Sequence, residues 1–483
     1  MSPSLLLTLI IPALACEEWQ ANTLVTGAAG ARSVATADLD GDGDHDVIYT
    51  SFTSNEVGWV ENLGGGSFAP AVVLTTEAEG GKGVNTGDLD GDGDLEILAA
   101  SAYDGQVSFW ENLGGGSFGP RQFVNQTPAQ GAYSVQAVDL DGDDDLDVLV
   151  PLGIRDEVVW YANQGDGSFG PEQQITGSVD GPRYSYAADL DGDGDADVLS
   201  ASEYDDLIAW FENLGGSFGP LQVITTEADG ARTSWPADLD GDGDLDVVTS
   251  SANDGEVAWH ENLGGGSFGP RRGLTGAAGG AYGLYSADLD GDGDIDVLAT
   301  AHHDDTVVWF ENLGGGSFAP AAISLSALGA KSVFAADLDG DGVPDVLSAS
   351  EDDGEIDWYP NPIHSDADAD GLLWEEEVCE HGTDPDVADS DGGGRSDGDE
   401  VSIDATDPLD PTDDLQVEPT GTTGDTGSTT PTAETADTAD TAETGTTGPT
   451  ETGVEAPPST DEPKPCGCVQ SPSWGLLGLL TRR

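Results

Sequence analysis

Asp38-Leu39-Asp40-Gly41-Asp42-Gly43-Asp44-His45-Asp46 is the first of seven near-copies of one acidic nonapeptide. The others open at Asp88, Asp139, Asp189, Asp238, Asp288 and Asp337, at steps of 49 to 51 residues. A fixed period near 50 marks a repeat architecture, in which each unit buries its apolar face against its neighbours. Within the nonapeptide, carboxylates fall at positions 1, 3, 5 and 9, with glycines between them. Ca²⁺ is hard and takes about 6–8 oxygens at about 2.3–2.6 Å, so this spacing describes a calcium cage.

The expected side-chain ligands of the first loop are Asp38, Asp40, Asp42 and Asp46. Their counterparts are Asp88, Asp90, Asp92 and Glu96, then Asp139, Asp141, Asp143 and Asp147, then Asp189, Asp191, Asp193 and Asp197. Three further sets are Asp238, Asp240, Asp242 and Asp246, then Asp288, Asp290, Asp292 and Asp296, then Asp337, Asp339, Asp341 and Asp345. Position 7 is expected to offer its backbone carbonyl. It is Asp44, Asp94, Asp145, Asp195, Asp244 and Asp294, but Val343 in the last loop, as a backbone-only ligand permits. Position 6 is Gly except at Asp144, which strains a left-handed turn and marks the loop 139–147 as the weakest site. Four carboxylates held together without a cation would cost on the order of several kcal/mol per loop.

Outward from the first loop the pattern is that of strands and turns. An apolar stretch at 33–37 leads in, and β-rich runs follow at 47–50, 57–62 and 72–75, with Gly or acidic turns between them. Four short strands per unit, repeated seven times with no helical period, predict an all-β fold, a seven-bladed β-propeller. The last repeat stops at Asn361 without a fourth strand, while segment 19–31 lacks the first three. The N-terminal segment is therefore expected to complete the last blade and close the ring, which removes exposed edges.

Lys+Arg total 13 and Asp+Glu 94, a formal net charge of −81. Nucleic acid is excluded as a partner, because phosphate contacts need clustered Lys and Arg. An apolar run at 5–15 ends in Ala13-Leu14-Ala15 and reads as a signal peptide over 1–15, while Cys16 directly after it also allows a lipoprotein. The four cysteines all lie outside the repeats, so no disulfide framework holds them. Beyond the propeller, assigned to 16–363, residues 364–414 carry small calcium-loop repeats. Asp366, Asp368, Asp370 and Glu377 take positions 1, 3, 5 and 12 of an EF-hand-like loop, and Asp389, Asp391, Asp397 and Glu400 mark a degenerate copy. Residues 415–465 are Thr-rich, lack aromatics and read as a disordered stalk, and 466–483 reads as a C-terminal sorting or anchor signal.

The Asp-Leu-Asp-Gly-Asp-Gly-x-x-Asp loop is followed about 20 residues later by Asn-Leu-Gly-Gly-Gly-Ser-Phe-Gly-Pro, as at 112–120. Together they resemble the FG-GAP/VCBS repeats of integrin α-chain propellers and of many bacterial surface proteins. The resemblance covers 19–361 and implies a calcium-bound propeller, but no single activity. Residues 366–411 resemble thrombospondin type-3-like calcium repeats, and the tail resembles the MYXO-CTERM sorting signal of myxobacteria.

Six residues before each loop sit Arg32, Lys82, Tyr133, Arg183, Arg232, Tyr282 and Lys331. Five of the thirteen basic residues thus occupy one equivalent position. It lies just upstream of the predicted innermost strand, so the seven should ring one mouth of the central channel. Such a ring could bind an anionic or polyhydroxylated ligand, such as an acidic glycan. Alternatively, each cation pairs with acidic loop residues of its own or a neighbouring blade. The third-strand aromatics Trp59, Phe109, Trp110, Trp160, Trp210, Trp259, Trp309 and Trp358 are expected to pack blade on blade rather than stack on sugars. The six His occupy non-equivalent positions, and no hydrolase or metalloprotease motif occurs, so catalysis is not expected.

These features describe a secreted, cell-surface or outer-membrane propeller that binds calcium. It is expected to be monomeric, to touch a membrane only through a terminal anchor, and to act in adhesion or in binding an extracellular glycan or protein. The alternatives are a glycan-active enzyme, such as a polysaccharide lyase working at the channel mouth, and a structural surface-layer protein.

Overall fold

A computed structural model describes residues 19–275 and 278–362, and single positions between 372 and 409. The proposed signal peptide, Asp366, Asp368, Asp370, Glu377, the stalk and the tail lie outside the described residues. The described chain forms seven four-stranded antiparallel sheets, the blades of a propeller. In the first blade the strands run outward in chain order as Ala31–Ala37, Asp46–Ser51, Val57–Val60 and Val72–Thr75. The innermost strand starts two residues before the expected 33, and the third ends at Val60 rather than at 62. Asn62 lies beyond it, in an isolated bridge to Phe68.

The last blade consists of Ala330–Ala336, Asp345–Ser350 and Glu355–Tyr359, completed by Asn22–Val25 from the other end of the chain. Asn22 pairs with Trp358 and Thr23 with Asp357, so the closure expected from the incomplete repeats is present.

The second strand of every blade is buried along its whole length. A strand covered on both faces needs apolar or small residues throughout, which explains runs such as Val47-Ile48-Tyr49-Thr50. The core lies between blades. One cluster joins Ala35, Ile48 and Trp59 of the first blade to Val84, Ile97 and Trp110 of the second. Another joins Val34 and Tyr49 to Leu347, Ile356 and Trp358 across the closing seam. Third-strand aromatics stack edge-on against a Phe of the next blade, as in Trp59–Phe118, Phe109–Phe169 and Phe68–Trp358. This is the blade packing expected of them, and each such side chain buries about 150–250 Å².

Candidate functional site

Each acidic loop is a chain of short backbone-to-carboxylate bonds. In the first, the amides of Gly41 and Gly43 donate to Asp38 at 2.8 and 3.1 Å, and Asp44 donates to Asp42 at 3.0 Å. The position-9 carboxylate is buried and held from two sides. Asp46 accepts from the Leu39 amide at 3.0 Å and from the Asn62 amide at 2.8 Å. Glu96, one methylene longer, does the same with Leu89 at 2.7 Å and Asn112 at 3.3 Å.

Carboxylate oxygens within 4.8 Å of one another come from Asp38, Asp40 and Asp42, and from Asp88, Asp90 and Glu96. Equivalent groups are Asp139, Asp141 and Asp143, then Asp189, Asp191 and Asp197, then Asp238, Asp240 and Asp246. No position-7 side chain belongs to these five groups. Asp141 Oδ1 and Asp240 Oδ1 are buried without a hydrogen-bond partner. Clusters of this kind could hold a metal ion. Burial, together with the charges of Asp40 and Asp42, pushes the Asp46 carboxyl up to about 7. Burial likewise raises Glu96, Asp296 and Asp345 to about 7, and Asp147, Asp197 and Asp246 to about 6. Asp144 adopts φ +71, while its glycine counterparts Gly43 and Gly194 reach +100 and +99.

The seven residues expected to form a ring do come together, as lining of one cavity at the propeller axis of about 280 Å³. Their placement has a backbone cause. Strand register shifts between Ala31 and Ser33, so Arg32 is the extra residue of a β-bulge. The same shift falls at Lys82, Arg183, Arg232 and Lys331, and across Tyr282. Tyr133 follows Ala132, which makes only an isolated bridge. A bulge re-aims the extra side chain. The ring residues therefore belong to the innermost strands or their bulged ends, not to a loop upstream of them.

Two tyrosines are interleaved with the cations. Arg32, Arg232 and Lys331 lie 4.9, 5.0 and 4.1 Å from the Tyr282 ring centre. Lys82 and Arg183 lie 5.2 and 4.3 Å from that of Tyr133. The cations do not pair with the acidic loops. Arg32 and Lys331 share Glu351 at 2.9 and 3.2 Å, and Arg232 meets Glu203 at 2.6 Å, with Arg183 on the same carboxylate. Both glutamates sit in the turn after a second strand, where the other blades carry Phe52, Ala102, Gly153, Ala252 and His302. Four of the five cations thus share two carboxylates. Lys82 has no ion-pair partner among the described residues. Burial, with Arg32, Arg183 and Lys331 nearby, pulls its amine down to about 6. Lys331 is lowered to about 8, chiefly by burial and then by Arg32.

Three residues along each inner strand, a second tier lines the same cavity. It is Tyr186, Trp235, Tyr285 and Phe334 in the last four blades and Ala35, Asn85 and Gln136 in the first three. Reading the repeats by their shared motifs passes over this tier, as it does Glu203 and Glu351. Aligning position three before each loop would have displayed it. The described histidines do not form a site. His260 is fully buried in a third strand and burial lowers it to about 4, while His302 and His303 neighbour each other in a turn.

Residues 38–99, 92–150, 152–200, 189–249, 238–299 and 288–348 match the FG-GAP-like repeat. The chain belongs to the FG-GAP-like repeat family. No curated protein matches it. Among solved structures, it is similar to a catalytically inactive virginiamycin B lyase from Staphylococcus aureus with quinupristin. Identity there is 11%, over 71% of this chain and 98% of that one, with a TM-score of 0.50. It is also similar to an Agrocybe aegerita lectin described for recognition of non-reducing terminal N-acetylglucosamine. That match has 22% identity over 66% and 85% of the two chains, with a TM-score of 0.47. At these identities the likeness is one of fold.

Proposed function

We propose that this chain is a calcium-stabilised propeller, displayed outside the cell, that binds an anionic ligand at its channel mouth and acts in adhesion. The observation that carries the ligand reading is the concentration of charge. Five of thirteen basic residues converge on one cavity in a chain of net charge −81. Elsewhere the surface repels anions, so the mouth is where an acidic glycan would be drawn and held. The calcium reading rests on the donor set. Clustered carboxylates and the unpartnered buried oxygens of Asp141 and Asp240 suit a hard cation with oxygen ligands. Bound calcium would supply positive charge that keeps each loop compact, with Asp38, Asp40, Asp42 and Asp46 holding it in the first. The role proposed is binding, and turnover of a glycan at the same mouth is the alternative that the experiment below separates from it.

The experiment is binding of the full chain to a panel of acidic and neutral polysaccharides, in calcium and again in EGTA. Calcium-dependent retention by the acidic members alone is the expected result. Equal retention by neutral members, or depolymerisation of any of them, would replace this reading. No retention by a protein shown to be folded would leave a structural role.

A further inference from the structure

The cavity has two tiers of different chemistry, and the lower tier is itself divided. Tyr186, Trp235, Tyr285 and Phe334 form one continuous arc over four consecutive blades, with ring centres 4.6, 5.0 and 4.3 Å apart in sequence. All four are half-buried and line the cavity. The opposite half is small or amide-bearing. Gln136 is braced against the Ala187 backbone, its Oε1 accepting at 2.7 Å and its Nε2 donating one hydrogen at 3.4 Å, which leaves the second N–H. Asn85 accepts from the Ala137 amide at 3.0 Å through Oδ1 and lines the cavity. Between the tiers the lining alternates Ser, Thr or Gly with Val or Leu, and Tyr184 is the one aromatic residue there. At the rim, Arg232 keeps its Nε–H without a protein acceptor.

We propose that this channel is a two-tier site for the terminal ring of an acidic glycan, a uronic acid, with its carboxylate at the cationic rim and one pyranose face on the Tyr186–Phe334 arc. The proposal rests on the anionic-ligand reading above and specifies what enters. One-sided aromatic lining is what selects a sugar. A pyranose has a C–H face that packs on aromatic rings and hydroxyls that need hydrogen-bond partners, which Asn85 and Gln136 can supply on the far side. A planar aromatic acid has two apolar faces, and one would lie against amides. Size selects an end group. The cavity of about 280 Å³ lies at the lower limit of small-molecule sites, which run from about 300 Å³ upward. A single ring fits it, whereas a polymer strand does not.

The test is calorimetric binding of methyl β-glucuronide, methyl β-glucoside and benzoate to the full chain in calcium, with a thermal melt to show that each variant is folded. The glucuronide should bind most tightly. Trp235→Leu should weaken both glycosides, by about tenfold, because the stacking surface serves either sugar. Arg232→Gln should weaken the glucuronide and leave the glucoside unchanged, with Arg183 still paired to Glu203. Phe334→Leu, on the same arc, serves if Trp235→Leu does not fold. Loss of glucuronide binding in Arg232→Gln but not in the arc variants would overturn the two-tier site and leave the anionic rim standing. Benzoate binding more tightly than the glucuronide would make the occupant an aromatic acid and overturn the sugar assignment. If no probe binds to folded wild-type protein, the rim reading fails as well.

Discussion

Asn62 Nδ2 donates at 2.9 Å to the carbonyl oxygen of Leu338, across the seam between the first and last blades. The same amide group donates to His45 O at 3.1 Å, and its Oδ1 accepts from Gly64 at 3.1 Å. Every blade repeats this. Asn112 reaches Leu39, Asn163 reaches Leu89, and so on to Asn361, which reaches Leu289. Each asparagine thus ties its own blade to the acidic loop of the preceding one. Asn62→Ala leaves a buried carbonyl without its donor, which costs about 1–3 kcal/mol. Thermal melting in calcium should show a drop of that size. An unchanged melting temperature would mean that closure depends on the Asn22–Val25 strand and apolar packing alone.

The same loops carry the cation reading. Asp46, Asp40 and Asp42 repel one another at short range, and a divalent ion bound to the native chain alone stabilises it by mass action. Adding EGTA should lower the melting temperature, and titrating calcium should raise it continuously with concentration. Magnesium, which demands a tighter octahedral shell, should restore less of the loss. A melt indifferent to EGTA would sink the calcium assignment.

Asp144 offers a single-site check. It holds φ +71 where the other loops have Gly between +94 and +100. A non-glycine residue in this region is strained, and glycine relieves that at some cost in chain entropy. A Cβ at the equivalent Gly43 meets no atom within 4 Å, so the penalty is conformational rather than steric crowding by neighbours. Asp144→Gly should raise stability in calcium by about 0.5–1 kcal/mol. It should also tighten calcium binding by the loop 139–147, read by calorimetry. A destabilised variant would show that the Asp144 side chain makes a compensating contribution.

The blade number, the closing strand and the loops were legible because each follows from a spacing that repeats. Arg32 and its counterparts were legible for the same reason. What escaped was irregular from blade to blade. Glu203 and Glu351 occupy a turn position that holds Phe, Ala, Gly or His elsewhere, and their importance arises only when blades four and seven face the axis. The adjacent pair Phe109 and Trp110 shows a second limit. Strand alternation sends Phe109 toward the third blade and Trp110 back toward the first, so only Phe109 is equivalent to Trp59. Composition alone treats the two alike. The bulge that aims each ring residue is also invisible in sequence, since it is a property of pairing with the second strand.

Lys82 should make both stability and anion binding depend on pH, with opposite signs. Its amine faces Arg32, Arg183 and Lys331, with Glu351 the nearby carboxylate and the rings of Phe52 and Tyr133 beside it. Burial first, then those cations, lowers it from 10.5 to about 6. The unfolded chain therefore binds more protons than the native one between pH 6 and 10.5, and this group's contribution to stability rises with pH across that window. Lys82→Met removes the titration. Its melting temperature should exceed wild type at pH 7 and approach it near pH 10. Binding runs the other way. As pH falls from 7.5 to 5.5 the amine gains a proton, while a ligand carboxylate stays ionised above about pH 5. Affinity for methyl β-glucuronide should rise roughly fivefold in wild type through the added charge, and stay flat in Lys82→Met. Parallel profiles in the two proteins would remove Lys82 from the site and leave the charge of the rim to its arginines and Lys331.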